Sequence, residues 1–310
     1  MLTGEGGSLP SAGVAPATVA EALRLAGRAL ERAGLADASR EAGELYASVT
    51  QRPSSAAWLD RDERPPAERL EVLDAAVRRR AAGWPQAYAS GWACFRGHWL
   101  RVDRRVLIPR PETEGLVELA LAWARERAAA PRGAGAGPGL TAVDVGTGSG
   151  AVAAALVLEG PFQRVWAVDS SAAALEVAAE NLARLGVAPR VSLVRGDLLE
   201  PLAGRRVAAL VSNPPYVATA ELPSLDSSVR DHEPLLALDG GPDGLGTTRR
   251  LVFAARGALE PGGLLALEVD SRRADRTAAL ATSAGFVAVD VLDDLFKRPR
   301  YVRARQPGDG

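Results

Sequence analysis

The chain has 310 residues, of which 47% are hydrophobic, so it is long and apolar enough for one large or two ordinary domains. Its net charge of -1 argues against a protein that binds nucleic acid mainly by electrostatic attraction, and its one cysteine, Cys94, excludes an internal disulfide framework and a cysteine-based zinc site. No basic segment leads into an apolar run at the N-terminus, and no stretch of about 18 uncharged apolar residues occurs, so we expect a cytoplasmic protein without signal peptide or membrane span.

The N-terminal part of the chain predicts a helical domain that follows a disordered segment. Residues 1–17 are small, polar and rich in glycine and proline, and we expect them to be disordered. Apolar residues then recur at steps of three and four from Leu23 to Leu30, which is the spacing of one helix face. Thr18 is the predicted N-cap of this helix, and Gly34 is the residue at which it stops.

Two more helices and a hairpin are predicted before the next domain. One helix begins after Asp37, and another begins at the proline pair that starts with Pro65. Aromatic residues, glycines and short alternating runs over residues 89–109 then predict a hairpin linker. We therefore divide the chain into a helical domain over 18–88, this linker, and a second domain over 110–310.

From Leu140 onward, short strands rich in valine, leucine and alanine alternate with helices of about ten to fifteen residues. The predicted strands read LTAVDVG, RVWAVD, RVSLVRGD, RVAALVSN, GLLALEV and FVAVDVL, and RYVRARQ follows as the last one. This alternation predicts an α/β domain with a parallel, doubly wound sheet.

A glycine-rich turn follows the first of these strands. The segment VDVGTGSGA places Gly146, Gly148 and Gly150 at the carboxyl end of the strand, where glycine lets the chain turn tightly and lets a ligand approach the backbone. Asp169 ends the next strand, 19 residues after Gly150, and a carboxylate there accepts hydrogen bonds from ribose hydroxyls. The pattern predicts a cofactor loop of the nucleotide-binding type.

The loop alone does not decide between two classes of cofactor. Ala151 stands where a dinucleotide motif has its third glycine, which is a permitted replacement, so NAD stays open. Asp144, two residues before Gly146, favours S-adenosylmethionine, because its carboxylate would reach the cationic end of that cofactor. In either class, Asp197 at the end of the third strand can meet the adenine amine, with Leu198 against the ring.

The segment LVSNPPYVAT ends the fourth strand abruptly. Two consecutive prolines lack the N–H groups that a central strand needs, so the strand stops at Asn213. The Asn213 amide oxygen and the Pro214 carbonyl are two neighbouring acceptors, and they match the two donors of a ligand –NH2 group. Tyr216 adds a flat face on which a planar group can stack. The motif therefore predicts a site that holds a planar amine or amide.

Together, DVGTGSG and VSNPPY resemble the amino-methylating S-adenosylmethionine-dependent methyltransferases, which act on bases of DNA or ribosomal RNA or on protein glutamines. VLIPRPETEGLVELAL, over 106–121, and HEPLLALDGGPDGL, over 232–245, narrow the resemblance to the peptide chain release factor glutamine methyltransferases. The helical N-terminal domain and the closing DDLFKRPRYV are also similar to that family. The resemblance covers nearly the whole chain from about residue 18.

The resemblance implies a Rossmann-like, seven-stranded class I methyltransferase sheet with an antiparallel last strand, preceded by a small helical-bundle domain that recognises the substrate. It implies methylation of the glutamine side-chain amide in the Gly-Gly-Gln motif of class 1 release factors, with S-adenosylmethionine as cofactor and the release factor as partner. The implied catalytic residues are Asn213, Pro214 and Tyr216, and Pro215 joins them in binding the substrate. The implied cofactor-binding residues are Asp144, Gly146, Thr147, Gly148, Ser149, Gly150, Asp169, Asp197, Leu198 and Asn213. We expect a monomer without a metal, without a stable nucleic-acid partner and without membrane association.

Two positions depart from the pattern of this family. A larger aliphatic residue is expected near Ala89, and Asp270 stands where a small residue or glycine is usual, which affects substrate contact and one loop. Three alternatives stay open: an amino methyltransferase for ribosomal RNA or DNA, a methyltransferase for a ribosomal-protein glutamine, and a non-catalytic or NAD-binding protein. The near-neutral charge argues against the first, the segment VLIPRPETE against the second, and the intact NPPY against the third.

Overall fold

The computed structural model describes residues 16–129 and 139–308, so most of the segment expected to be disordered, 1–17, lies outside the described residues. The chain divides into two units. The first extends to Arg104 and includes the later segment Asp226–His232. The second comprises Arg105–Leu225 and Glu233–Gly310.

The helices and strands follow one another along the described residues in this order: α1 (Val19–Arg32), α2 (Ala38–Thr50), α3 (Ala56–Leu59), α4 (Ala67–Ala81), α5 (Gln86–Ser90), β1 (Trp92–Phe95), β2 (His98–Arg101), α6 (Pro111–Ala129), β3 (Leu140–Val145), α7 (Ala151–Glu159), β4 (Phe162–Asp169), α8 (Ala172–Arg184), β5 (Val191–Arg195), β6 (Val207–Ser212), α9 (Ser227–Arg230), α10 (Gly246–Ala258), β7 (Leu259–Glu268), α11 (Ala274–Ser283), β8 (Val287–Asp293) and β9 (Pro299–Arg305).

The first unit is a small helical bundle. Thr18 caps α1 as predicted, because its hydroxyl oxygen accepts a hydrogen bond from the Glu21 N–H at 3.2 Å. The three predicted helices correspond to α1, α2 and α4, and their apolar faces meet in a core that buries Leu30, Leu45 and Leu73. The short helices α3 and α5 were not predicted, since four or five residues are too few to show a period.

A two-stranded antiparallel hairpin, β1–β2, lies within the segment that predicts a hairpin linker. Trp92 pairs with Arg101, and Phe95 pairs with His98, so the connection is the two-residue turn Arg96-Gly97. Both turn residues have positive φ, 49° and 77°, which is the conformation that tight hairpin turns favour.

The second unit contains the predicted seven-stranded sheet, in the order β5-β4-β3-β6-β7-β9-β8. Strands β3 to β7 pair in parallel, while β9 runs antiparallel to both β7 and β8. The antiparallel last strand expected for RYVRARQ is thereby confirmed. The apolar residues of β6 and β7 pack against α10 and α11, with Leu210, Leu251, Leu265 and Ala281 buried between sheet and helices.

The strand order creates the site. The chain runs from β3 outward through β4 to β5, and then returns to the other side of β3 with β6. At such a reversal the loops after the two central strands separate and leave a crevice at the carboxyl edge of the sheet. The turn after β3 and the NPPY segment after β6 both lie at this edge.

Two observations concern the broader class of the protein. No helix among the described residues is both long and apolar enough to cross a membrane. Over the same part of the chain, no three or more histidine, cysteine, aspartate or glutamate side chains come together in a way that could hold a metal ion.

Candidate active site

The glycine-rich turn after β3 is the first part of the site. Gly146, Gly148 and Gly150 have φ angles of +76°, +53° and +80°, where a side chain would strain the backbone. The N–H groups of Gly146 and Thr147 both donate to the Val168 carbonyl, at 2.8 and 3.0 Å, which ties the turn to the end of β4. The turn therefore presents backbone rather than side chains to the crevice.

Asp169 is the last residue of β4 and faces this turn. Its Oδ2 accepts a hydrogen bond from the Gly148 N–H and its Oδ1 accepts one from the Ser171 N–H, both at 2.9 Å. A carboxylate offers about four lone-pair positions, so each oxygen can accept a further donor. Asp169 is thus held rigidly while it keeps the capacity to bind hydroxyl groups.

A cavity of about 320 Å³ opens at the carboxyl edge of the sheet, within the second unit. Its lining contains the predicted site residues Gly146, Gly148, Asp169, Asp197, Leu198, Asn213, Pro214 and Pro215. Its wall also contains residues that the sequence did not suggest, among them Val106, Leu107, Pro234, Leu236 and Thr247. The glycine turn, the carboxylate at the end of β4 and the NPPY segment therefore meet in one cavity.

Other predicted site residues lie behind the lining. Asp144 is 1% exposed, and its Oδ2 accepts hydrogen bonds from the Thr147 hydroxyl at 2.6 Å and from the Ala153 N–H at 3.1 Å. Burial raises the pKa of the Asp144 carboxyl to about 7, although these two hydrogen bonds oppose the shift. The Ser149 carbonyl accepts from the Asn181 amide at 2.9 Å. These residues brace the turn against α7 and α8.

Asp197 and Leu198 are part of the cavity wall. Asp197 forms an ion pair with Arg250 of α10, and both side chains are about half exposed. An exposed pair contributes little to stability, so its main effect is to hold the carboxylate at the cavity wall. Leu198 has a φ of +50°, an unusual backbone conformation for leucine.

Asn213 follows β6 and lies next to the turn after β3. The Ser212 hydroxyl donates to the Val145 carbonyl at 2.7 Å and so joins the ends of β6 and β3. The Asn213 Nδ2 donates to the Thr113 hydroxyl oxygen at 3.1 Å. Among the described residues, no group donates to Asn213 Oδ1 or to the Pro214 carbonyl, so both acceptors remain for a ligand.

A buried carboxylate lies behind the NPPY segment. Glu268, the last residue of β7, is 1% exposed, and its Oε2 accepts from the Thr113 hydroxyl at 2.6 Å. The Tyr216 hydroxyl donates to Glu268 Oε1 at 3.5 Å. Burial raises the pKa of the Glu268 carboxyl to about 7, and burial together with this carboxylate raises the pKa of the Tyr216 hydroxyl. Tyr216 is thus anchored at its hydroxyl end, and it is absent from the described cavity lining.

The glycine-rich segment over 238–241 is hydrogen-bonded to the backbone that follows NPPY. The Val217 N–H donates to the Leu238 carbonyl at 3.0 Å, and the Gly240 N–H donates to the Val217 carbonyl at 2.8 Å. A Cβ on Gly240 would lie 2.7 Å from the Pro215 carbonyl oxygen, so only glycine permits this approach. The segment fixes the backbone just after the two prolines.

Arg110 and Glu233 connect the two sequence stretches that narrow the family resemblance. Arg110 Nη2 lies 2.6 Å from Glu233 Oε1, and the Glu233 side chain is 1% exposed. Burial raises the pKa of the Glu233 carboxyl, and the Arg110 guanidinium opposes that shift. The two residues are 123 positions apart in the chain.

The two departures from the family pattern have structural surroundings. Ala89 is fully buried in the core of the first unit. Asp270 accepts from the Arg272 N–H at 2.8 Å and from Arg273 Nη1 at 2.9 Å, while Arg273 Nε donates to the Asp243 carbonyl at 2.9 Å. Asp270 therefore belongs to an ionic cluster that holds the segment before α10.

Comparison with known proteins agrees with this geometry. Residues 21–91 match the PrmC N-terminal domain, and residues 137–226 match the methyltransferase small domain. Release factor glutamine methyltransferases from Moorella thermoacetica and Cereibacter sphaeroides are 43% and 40% identical to the chain, over 91% and 93% of its length and 96% and 98% of theirs.

A relative with a different protein substrate also matches. The ribosomal protein uL3 glutamine methyltransferase of Bordetella pertussis is 42% identical over 209 residues, which are 67% of each chain. The two relatives from Moorella and Cereibacter, by contrast, align over almost their whole length, including the helical first unit. On this full-length similarity, the chain belongs to the release factor glutamine methyltransferase family.

Proposed function

We propose that this chain methylates the side-chain amide of the glutamine in the Gly-Gly-Gln motif of a class 1 release factor, with S-adenosylmethionine as methyl donor. One observation carries the proposal: Asn213 and Pro214, whose side-chain and backbone carbonyl oxygens are the two free acceptors, line the same cavity as the glycine turn and Asp169. The cavity thus joins a site for a nucleoside with a site for an –NH2 group.

The residues present fit S-adenosylmethionine. A Cβ on Gly148 would meet no protein atom within 4 Å, which indicates open space above the turn for a ligand that lies along the backbone. Asp169 has capacity for ribose hydroxyls, and Asp197 with Leu198 offers an acceptor and an apolar surface for adenine. The cofactor would supply an electrophilic methyl group attached to sulfur.

The role of the protein in methyl transfer is to orient and polarise the acceptor amide. Asn213 Oδ1 and the Pro214 carbonyl each accept one N–H of the glutamine amide, which fixes the plane of the nitrogen. Correct orientation of two reactants contributes several kcal/mol to a reaction of this type. The same two acceptors stabilise the positive charge that grows on the nitrogen as its bond to the methyl group forms and the bond between that methyl group and sulfur breaks. The nitrogen then releases one of its two protons, which leaves a neutral methylated amide. Tyr216 is held by its hydrogen bond to Glu268 and so anchors the NPPY segment that carries the two acceptors.

The larger organisation of the chain follows from this function. The helical residues 18–88 would hold the release factor, residues 89–109 would link the two parts, and residues 110–310 would carry the chemistry. A protein that modifies release factors acts in translation termination, in the cytoplasm, and a monomer suffices because the described cavity is complete within one unit.

The decisive experiment offers purified protein and labelled S-adenosylmethionine to a class 1 release factor and to its Gln-to-Ala variant. We expect one label on the intact release factor and none on the variant. Equal labelling of the two would contradict the proposal. Naked ribosomal RNA in a parallel reaction tests the nucleic-acid alternative, and its strong labelling would favour a base methyltransferase.

Ribosomal protein uL3 is the second substrate to test. The relative from Bordetella pertussis, at 42% identity over 209 residues, is named for a glutamine of that protein. The acceptors Asn213 and Pro214 suit any glutamine amide equally well, so the choice between substrates rests on surfaces away from the cavity. Faster labelling of uL3 than of the release factor would keep the chemistry and change the substrate.

A further inference from the structure

A chain of three side chains connects β7, α6 and the NPPY segment. Asn213 Nδ2 donates to the Thr113 oxygen at 3.1 Å, and the Thr113 hydroxyl donates to Glu268 Oε2 at 2.6 Å. Thr113 is 100 residues from Asn213 and 155 residues from Glu268 in sequence. Thr113 and Glu268 are both buried, so water does not compete for these bonds.

Glu268 determines which group donates and which accepts in these two hydrogen bonds. An ionised carboxylate only accepts hydrogen bonds, so Thr113 must use its single proton toward Glu268. The distance of 2.6 Å is typical of a charge-assisted O–H···O⁻ bond, which is stronger than a neutral one. The Thr113 oxygen can then only accept from Asn213, and the nitrogen of the Asn213 amide must face it.

We propose that Glu268 and Thr113 are positioning residues that make Asn213 present its oxygen, and not its –NH2 group, to the acceptor amide. The inference rests on the proposed function of Asn213 and names the part of the structure that enforces it. An asparagine amide is nearly symmetric in shape, so packing alone does not distinguish its two orientations. In the reversed orientation the –NH2 group of Asn213 would face the –NH2 group of the substrate glutamine, and that glutamine would lose one of its two hydrogen-bond acceptors.

The surroundings of Glu268 support an ionised carboxylate under weakly basic conditions. The Thr113 hydroxyl acts on it as a hydrogen-bond donor, and the charged or titratable groups that act on it are Glu112 from α6, Tyr216 from the NPPY segment, and Arg300 and Tyr301 from β9. Arg300 favours the ionised form and Glu112 opposes it. With a pKa of about 7, Glu268 directs the hydrogen-bond chain above neutral pH and loses that direction when it is protonated.

The first experiment compares four variants in single-turnover methylation of the release factor, with S-adenosylhomocysteine affinity measured by calorimetry. Thr113→Val and Glu268→Gln remove the hydrogen bonds that fix the orientation of the Asn213 amide. Each should lower the methylation rate about 10- to 100-fold and leave the affinity for S-adenosylhomocysteine unchanged. Thr113→Ser keeps the hydroxyl and should restore the rate to within about threefold. Thr277→Val removes a buried hydroxyl on α11, and its rate should equal that of the wild type.

A double-mutant comparison separates positioning from a general structural role. In an Asn213→Ala background, Thr113→Val should cause no further loss, because the residue it orients is gone. Additive losses from the two substitutions would overturn the inference. So would a rate for Thr113→Ser as low as that for Thr113→Val.

A readout without turnover distinguishes failure of this inference from failure of the proposed function. In the S-adenosylhomocysteine complex, the Asn213 side-chain –NH2 signals can be identified by their loss in Asn213→Ala. Their hydrogen exchange should accelerate at least about tenfold in Thr113→Val and Glu268→Gln, and stay slow in Thr113→Ser and Thr277→Val. Unchanged exchange in Thr113→Val overturns the inference whichever substrate the enzyme methylates.

Discussion

Asp144 places an ionisable carboxyl where a neutral group would suit the fold better. It is buried under the glycine turn, and its folded-state pKa of about 7 lies well above its ordinary value of 3.8. Between about pH 4 and pH 7 the folded protein therefore retains a proton that the unfolded chain has released. The associated stability is fully present below this range and is lost as the pH rises through it.

The substitution Asp144→Asn tests this account of stability. An asparagine oxygen can accept the same bonds from Thr147 and Ala153, and it carries no charge to bury. We expect the variant to be more stable than the wild type by about 1 kcal/mol or more above neutral pH, with the difference vanishing toward about pH 4. Urea unfolding of both proteins across this range measures it. A difference in the free energy of unfolding that does not change with pH would contradict a raised pKa of Asp144 in the folded protein.

Contacts between residues that are near in sequence can be predicted from the sequence, whereas contacts between distant residues cannot. Thr18 was predicted as a cap because it and Glu21 are three residues apart, so the contact is local. Thr113, Glu233 and Glu268 were not predicted as parts of the site, because their partners lie 100 or more residues away in the chain. Glu268 is the one charged residue in the apolar run GLLALEV, and that unusual position is the feature by which the sequence could have indicated it.

At the scale of elements, the glycines after NPPY carry a specific requirement. Gly240 lies so close to the Pro215 carbonyl and the Gly244 carbonyl that a Cβ would stand 2.7 and 2.8 Å from them. Both neighbours are backbone atoms, and the Pro215 carbonyl cannot move without displacing the segment that contains Asn213 and Pro214. The shape of this loop therefore acts directly on the two acceptors.

The substitution Gly240→Ala should impair methyl transfer more than it impairs folding. We expect a loss of about 1–3 kcal/mol in the free energy of unfolding from the backbone clash, and a methylation rate at least about tenfold lower. Gly257→Ala is the matched control, because Gly257 lies in α10 with open space around its missing Cβ. That variant should gain about 0.5–1 kcal/mol and keep its rate. Equal rates in the two variants would contradict the role of this loop.

Element boundaries show a second limit of prediction from sequence. The sequence after NPPY predicts a helix from about Asp243 to Leu259, whereas α10 spans Gly246–Ala258. Asp243 belongs to the preceding turn, since its Oδ1 accepts from the Leu245 N–H at 3.0 Å and its carbonyl accepts from Arg273. Polar residues that make turns and polar residues that cap helices look alike in sequence, and tertiary contacts decide between them.

At the scale of the whole molecule, the alternation of strands and helices was sufficient to predict a parallel sheet. The antiparallel direction of β9 came from the family resemblance, whereas its position between β7 and β8 was not predicted, because hydrophobic pattern does not specify strand order. The segment Asp226–His232, which belongs to the first unit, was not predicted either. Nothing in its composition distinguishes it from a surface loop, and its assignment depends on contacts with residues far away in sequence.

The distribution of the cavity lining leads to a prediction about ligand-induced stabilisation. All its described residues belong to the second unit, so a cofactor analogue should stabilise that unit. S-adenosylhomocysteine at about 100 times its dissociation constant contributes about 2.7 kcal/mol, which corresponds to a rise of about 5–10 °C in melting temperature for a domain of this size. Calorimetry of the whole chain measures the shift.

The substitution Asp169→Ala should remove most of this rise in melting temperature, because the carboxylate that faces the glycine turn is gone. Asp275→Ala, a substitution of an exposed residue on α11, should retain the rise. NAD at the same concentration should leave the melting temperature unchanged, because the proposed function assigns this cavity to S-adenosylmethionine. An equal rise with NAD and with S-adenosylhomocysteine would instead favour the dinucleotide-binding alternative, which the glycine turn alone leaves open.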